Sequence, residues 1–172
     1  IAKLPGFQST QRTSLAFSPD NKTLAAIGDG DTVRLWDLTR DKAKERAVLP
    51  KSGFASMAFS PDSKTLASGS SDFTVRLWDV PSGRTTATLQ DNASEAQAVA
   101  FSPDGNKLLS NCSDKAVRLW NIEDRESAQL IGEMRNDLKT GDQGFYAMAF
   151  SPNSKLVATV GVAHALVLPQ SA

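Results

Sequence analysis

The sequence predicts an all-β protein built from stacked copies of one small antiparallel unit. Three observations carry that prediction. First, LAFSPDNKTLAAIGDGDTVRLWDL (15–38), MAFSPDSKTLASGSSDFTVRLWDV (57–80) and VAFSPDGNKLLSNCSDKAVRLWNI (99–122) are three versions of one segment. Second, Trp36, Trp78 and Trp120 fall 42 residues apart, and Phe17, Phe59 and Phe101 keep the same step. Third, each copy alternates apolar and polar residues with period two between turn-forming clusters, which is the signature of short half-buried strands. Self-similarity at this period marks a repeat architecture rather than a single-core fold.

The second copy shows how each element arises. Residues 56–59 alternate small and apolar side chains, then Ser60-Pro61-Asp62-Ser63 breaks the strand. Proline presets φ there, and Asp and Ser bond the local backbone. Residues 65–70 form a second strand, Ser71-Asp72 turns the chain, and 74–78 alternates so that Val75 and Leu77 share one face. Pro81-Ser82-Gly83 is a further turn, and the β-rich run 85–89 is a fourth strand. Such a unit has two apolar faces and must stack on its neighbours to bury them. The units are expected at about 14–49, 56–89, 98–131 and 148–172, in one domain spanning 1–172. A fourth Ala-Phe-Ser-Pro, at 149–152, opens the last. Counting forward without a gap pairs Thr159 with Ser68, puts Pro169 at the tryptophan position and Gln170 after it, and so predicts an early end to that strand. Ala2-Lys3-Leu4-Pro5 resembles Ala47-Val48-Leu49-Pro50, so strand 1–4 is expected to complete the incomplete last unit.

Trp36-Asp37, Trp78-Asp79 and the variant Trp120-Asn121, each preceded by Val-Arg-Leu, resemble the WD-repeat β-propeller family. The family's Ser-Pro-Asp turn stands at 18–20, 60–62 and 102–104, and the resemblance covers nearly the whole chain. It implies blades of four antiparallel strands around a channel, here a partial or half propeller. It also implies a side-chain network tying Trp36, Trp78 and Trp120 to hydroxyls at Ser68, Ser110 and Thr159 and to aspartates at Asp72 and Asp114. The family's histidine is absent from every repeat; Leu49-Pro50, Asp91-Asn92 and Thr140-Gly141 stand in its place. Repeat one has Ala26 at the hydroxyl site and Gly30 at the aspartate site. Looser blades are expected, with Ser68 and Ser110 serving the indoles directly. Four wedges shaped for a larger ring would leave an apolar face at each end. Three resolutions stand: a segment of a longer propeller, two copies pairing into a ring, or blades supplied by another chain.

Composition narrows the function. The 172 residues carry 19 basic and 19 acidic side chains, which gives no electrostatic footprint for nucleic acid or an anionic membrane. No apolar run approaches the ~20 residues of a spanning helix. The single cysteine, Cys112, cannot form an internal disulfide and suits an intracellular, cytoplasmic protein. Three Asn-x-Ser/Thr triplets, at Asn21, Asn92 and Asn111, read as turn composition rather than glycan acceptors.

Catalysis needs a nucleophile, a base and an orienting group. The chain holds one histidine, His164, in the degenerate repeat, and no zinc-ligand spacing or phosphate loop, so no catalytic, metal or cofactor residue is expected. Asp29-Gly30-Asp31-Thr32-Val33 is similar to the nucleophile motif of haloacid-dehalogenase phosphatases, but the aligned Ser71-Asp72-Phe73 and Ser113-Asp114-Lys115 make it a turn. Propeller resemblance implies partner binding through rim loops. The longest loop, 132–144, carries Arg135, Asp137 and Lys139 as candidate contacts. Phe73 replaces Asp31 and Lys115 in a polar turn, either as a partner anchor or folded over the rim. Arg34, Arg76 and Arg118 recur at one strand position and read as structural ion pairs or a solvated face. The expected role is a non-catalytic scaffold for protein assembly. The alternative is a structural or regulatory part of a larger enzyme or sensor.

Overall fold

The computed structural model describes residues 4, 14–27, 32, 33–39, 43–50, 54–90, 92–135, 145–161 and 165–169. Among them there is no helix. Fifteen strands form four separate antiparallel meanders, each in sequence order. Blade 1 holds β1 (Leu15–Phe17), β2 (Thr23–Ile27), β3 (Val33–Asp37) and β4 (Lys44–Leu49). Blade 2 holds β5 (Phe54–Phe59), β6 (Thr65–Ser70), β7 (Val75–Asp79) and β8 (Arg84–Leu89). Blade 3 holds β9 (Ala96–Phe101), β10 (Lys107–Cys112), β11 (Ala116–Asn121) and β12 (Gln129–Arg135). Blade 4 has three described strands, β13 (Phe145–Phe150), β14 (Leu156–Gly161) and β15 (Ala165–Pro169). The expected completion of that blade by strand 1–4 lies outside the described residues, apart from Leu4.

Each Ser-Pro turn is tied the same way. The Ser18, Ser60, Ser102 and Ser151 hydroxyls donate to the side-chain oxygen two residues on, at 2.6, 2.6, 2.5 and 2.7 Å. Each also accepts the N–H that opens the next strand, at 2.9 Å in all four copies. The last turn residue sits at positive φ: Asn21 at 60°, Ser63 at 63°, Gly105 at 76° and Ser154 at 59°. Left-handed backbone tightens the hairpin, and short polar residues or glycine tolerate it.

The strand register decides which residues meet. Phe59, Leu66 and Trp78 lie across from one another, as do Ala58, Ala67 and Leu77. One face of blade 2 therefore holds Met57, Phe59, Leu66 and Trp78, and it packs on Ala25, Ile27, Val33 and Leu35 of blade 1. The opposite face of blade 2, with Ala67, Val75 and Leu77, packs on Val99, Leu108 and Trp120 of blade 3. Leu109 and Val117 of blade 3 meet Val157, Met148 and Phe150 of blade 4. The core is thus three successive layers between blades, with one tryptophan face and one Val-Leu face in each of the first two.

Two features leave no mark in the repeat pattern of the sequence. A register shift sits beside the tryptophan in every complete blade, at Leu35/Trp36, Leu77/Trp78 and Leu119/Trp120. The bulge places one extra residue of the fourth strand opposite that step and bends the strand around the indole. Blade 4 corrects the ungapped count: Val157 pairs with Leu168 and Leu156 with Pro169. Leu66 pairs with Trp78 and Thr65 with Asp79, so Leu168 occupies the tryptophan position and Pro169 the aspartate position. One residue fewer separates Val160 from Ala165 than separates Gly69 from Val75. β15 accordingly has the same five-residue length as β7, with proline at the strand end, where a missing N–H costs little.

Candidate interaction surface

The blade interior and the rim are chemically distinct. In the interior, the Trp78 Nε1–H donates to Ser68 Oγ at 2.9 Å and Trp120 Nε1–H donates to Ser110 Oγ at 2.9 Å. All four residues are buried, so each indole N–H is satisfied in a medium where an orphan would be costly. Trp36 is also fully buried, and Ala26 offers no hydroxyl to it. Thr159 sits where Ser68 does; its buried hydroxyl has no partner among the described residues, and Leu168 at the tryptophan position has no indole to donate.

Asn92 occupies the place of the family histidine in blade 3. It is buried, its amide donates to Leu89 O at 3.3 Å, and its Oδ1 accepts from Ser110 Oγ at 3.4 Å and from Cys112 Sγ at 3.2 Å. A Trp120–Ser110–Asn92 chain results. Burial pushes the Cys112 thiol up, away from the thiolate form. Asn92 and Asn111 are both buried, where a glycan cannot attach to the folded chain.

Asp72 and Asp114 do not reach the tryptophans. They sit in the turns between second and third strands and pair with the recurrent arginines instead. Arg76 Nη2 lies 2.7 Å from Asp72 Oδ2. Burial would raise the Asp72 carboxyl, but hydrogen bonds from Arg76 and Thr74 outweigh it and hold the group at about 2. Arg118 is gripped harder: two nitrogens reach Asp114, at 3.2 and 2.6 Å, and Nε lies 3.1 Å from Glu133. Burial of Asp114 is again outweighed by its Arg118 hydrogen bond, so its carboxyl titrates below the usual range. Arg135 extends this cluster through Glu133. Arg34 pairs across the sheet with Glu45 at 2.5 Å. The three arginines are therefore ion-paired strand residues.

Phe73 is the conspicuous rim residue. Its side chain is 50% exposed, and its backbone lies at φ 68°, a region that bulky L residues seldom adopt. The turn is closed by Phe73 N–H to Ser70 O at 3.3 Å, and Lys115 repeats the geometry at φ 64°. Phe73 is thus not folded into the blade. Of the loop candidates, Arg135 ends β12 at the same rim as Asp114, while Asp137 and Lys139 lie outside the described residues. His164 also lies outside them.

On the opposite rim, hydroxyls join neighbouring Ser-Pro turns. Asp20 N–H donates to Ser63 Oγ and Asp104 N–H to Ser154 Oγ, both at 3.1 Å. Between blades 2 and 3 the matching residue is Gly105, which has no hydroxyl. Arg125 bridges there, donating to Thr65 Oγ1 at 3.3 Å, Gly105 O at 3.1 Å and Ile122 O at 2.5 Å. Its guanidinium also lies 5.9 Å from the Phe101 ring centroid. Arg125 has no counterpart in the other repeats, so periodicity offered no signal for it.

Four stacked meanders with buried tryptophans and exposed turn residues define a class of blade-stacking, surface-presenting proteins. The family model for the WD domain, G-beta repeat, matches residues 1–37, 47–79 and 83–121, well over half of the chain. The chain belongs to the WD40-repeat family. WD40 repeats generally mediate protein–protein interaction. No curated protein matches the sequence significantly.

Proposed function

We propose that this chain is a non-catalytic scaffold that binds another protein through the rim carrying Phe73, Asp72 and Arg135. The observation that carries this reading is Phe73: an aromatic held half-exposed, in a left-handed turn, where the other repeats place polar residues. Strained backbone with no gain in burial fits a contact function better than a packing one. The bonded blades behind it supply a rigid platform, so the ring is presented with little ordering cost on binding. We place the protein inside the cell: Cys112 is a free buried thiol, and two of three glycan triplets are buried. No helix among the described residues is long and apolar enough to cross a membrane.

The test is quantitative affinity capture from cell extract with the wild type and Phe73→Ala in parallel. A protein retained by the first and lost by the second, at equal melting temperatures, supports the reading. Identical retention by both would remove Phe73 as the contact.

A further inference from the structure

The left-handed turn residues divide by rim. On the Ser-Pro rim they are Asn21, Ser63 and Ser154, whose side chains are short and polar. On the opposite rim they are Phe73 at φ 68° and Lys115 at φ 64°, both with long side chains. Left-handed backbone disfavours a long side chain. Neither residue gains burial in exchange, since Phe73 is exposed and Lys115 partly exposed.

The two turns are equivalent and adjacent. Each joins the second and third strands of its blade, and each is closed by the N–H of the left-handed residue, to Ser70 O or to Cys112 O. Blades 2 and 3 share one apolar layer, so Phe73 and Lys115 stand on neighbouring blades at the same rim. Stacked sheets pack about 10 Å apart and an extended chain rises about 3.3 Å per residue, so about three residues bridge the two turns.

Charge sets Lys115 apart from the arginines around it. Arg76 is held by Asp72, Arg118 by Asp114 and Glu133, and Arg135 by Glu133. Asp114, the carboxylate next to Lys115 in sequence, is taken by two Arg118 nitrogens. The Lys115 ammonium has no ion-pair partner among the described residues. It can accept an incoming carboxylate without first breaking a pair within the blade.

We propose that this rim binds an extended acidic segment of a partner protein, with an apolar side chain against Phe73 and a carboxylate on Lys115, about three residues apart. It rests on the assignment of the Phe73 rim as a protein contact and adds the chemistry of what is bound.

The test is selection of a random peptide library displayed on phage against immobilised wild type, Phe73→Ala and Lys115→Glu. Wild type is expected to enrich peptides that share an apolar residue and an Asp or Glu about three positions apart. Lys115→Glu is expected to enrich Lys or Arg at the acidic position, and to bind the wild-type peptide about tenfold more weakly or worse. A reversed preference also shows that this variant is folded. Wild-type selection that yields no peptide, or peptides without the acidic residue, overturns the proposal. So does an acidic preference that persists in Lys115→Glu. If Phe73→Ala loses the peptides while Lys115→Glu keeps them, the carboxylate contact fails and the rim contact stands. If Phe73→Ala keeps the wild-type peptides, both fail.

Discussion

Blades 2 and 3 share the Val-Arg-Leu-Trp strand, yet they use its arginine differently. Arg118 has a side chain 1% exposed, held between Asp114 and Glu133, whereas Arg76 is 22% exposed and holds Asp72 alone. The difference comes from the fourth strand: Glu133 lies across from Arg118, and Thr88 lies across from Arg76. The repeat motif specifies the strand, and the least regular strand of each blade decides whether the arginine is a core ion pair or a surface one.

The largest expected effect tests what the two blades share. Trp78→Ala and Trp120→Ala should each destabilise by about 3–5 kcal/mol, through loss of packing between blades. Denaturant melts check this, and a loss below about 1 kcal/mol in either would show that the layer is not packed as described. The contrast itself is sharpened by the arginines. Arg118→Ala should cost about 3 kcal/mol, because it strands carboxylates in a partly dry site, and Arg76→Ala less than about 1 kcal/mol, as for exposed pairs. Equal losses would break the comparison. Ser68→Ala should cost about 1–3 kcal/mol by removing the acceptor of the Trp78 N–H, and Ser110→Ala the same or more, since Ser110 also donates to Asn92.

Acid provides a further test. Asp72 is held at about 2 against a normal 3.8, and Asp114 is also lowered. Groups lowered by folding add stability that is complete above pH ~4 and is lost as pH falls through their folded values. Melting temperature should therefore drop between pH 4 and 2, and the drop should shrink in Arg76→Ala and in Arg118→Ala, each of which removes the main hydrogen-bond donor to its aspartate.

Much of this was legible in the sequence. The period-two runs and Ser-Pro-Asp turns placed the strands, because a hairpin is specified by residues close in sequence. Alignment brought Ser68 to Trp78 and Ser110 to Trp120 for the same reason. What stayed hidden depends on residues without repeat partners. The blade 4 register slipped by one because a shorter connection leaves no mark in composition, so Pro169 was placed one step early. Glu133 and the bulge beside each tryptophan lie in the fourth strand, where the copies diverge. Arg125 substitutes for a hydroxyl that Gly105 lacks, a compensation visible only once blades 2 and 3 are side by side. Gly69 belongs here too: a Cβ at that position would come within 2.4 Å of the Ala96 carbonyl oxygen of blade 3, so the blade spacing requires glycine there.

The measurement that most directly tests Phe73 as a presented contact is the stability of Phe73→Asn. Asparagine tolerates the left-handed backbone that phenylalanine occupies at φ 68°, and little burial is given up at a half-exposed ring. The account predicts a variant as stable as the wild type, or more stable by up to about 1 kcal/mol. A loss of more than about 1 kcal/mol would show that the ring packs on the blade and serves the fold rather than a partner.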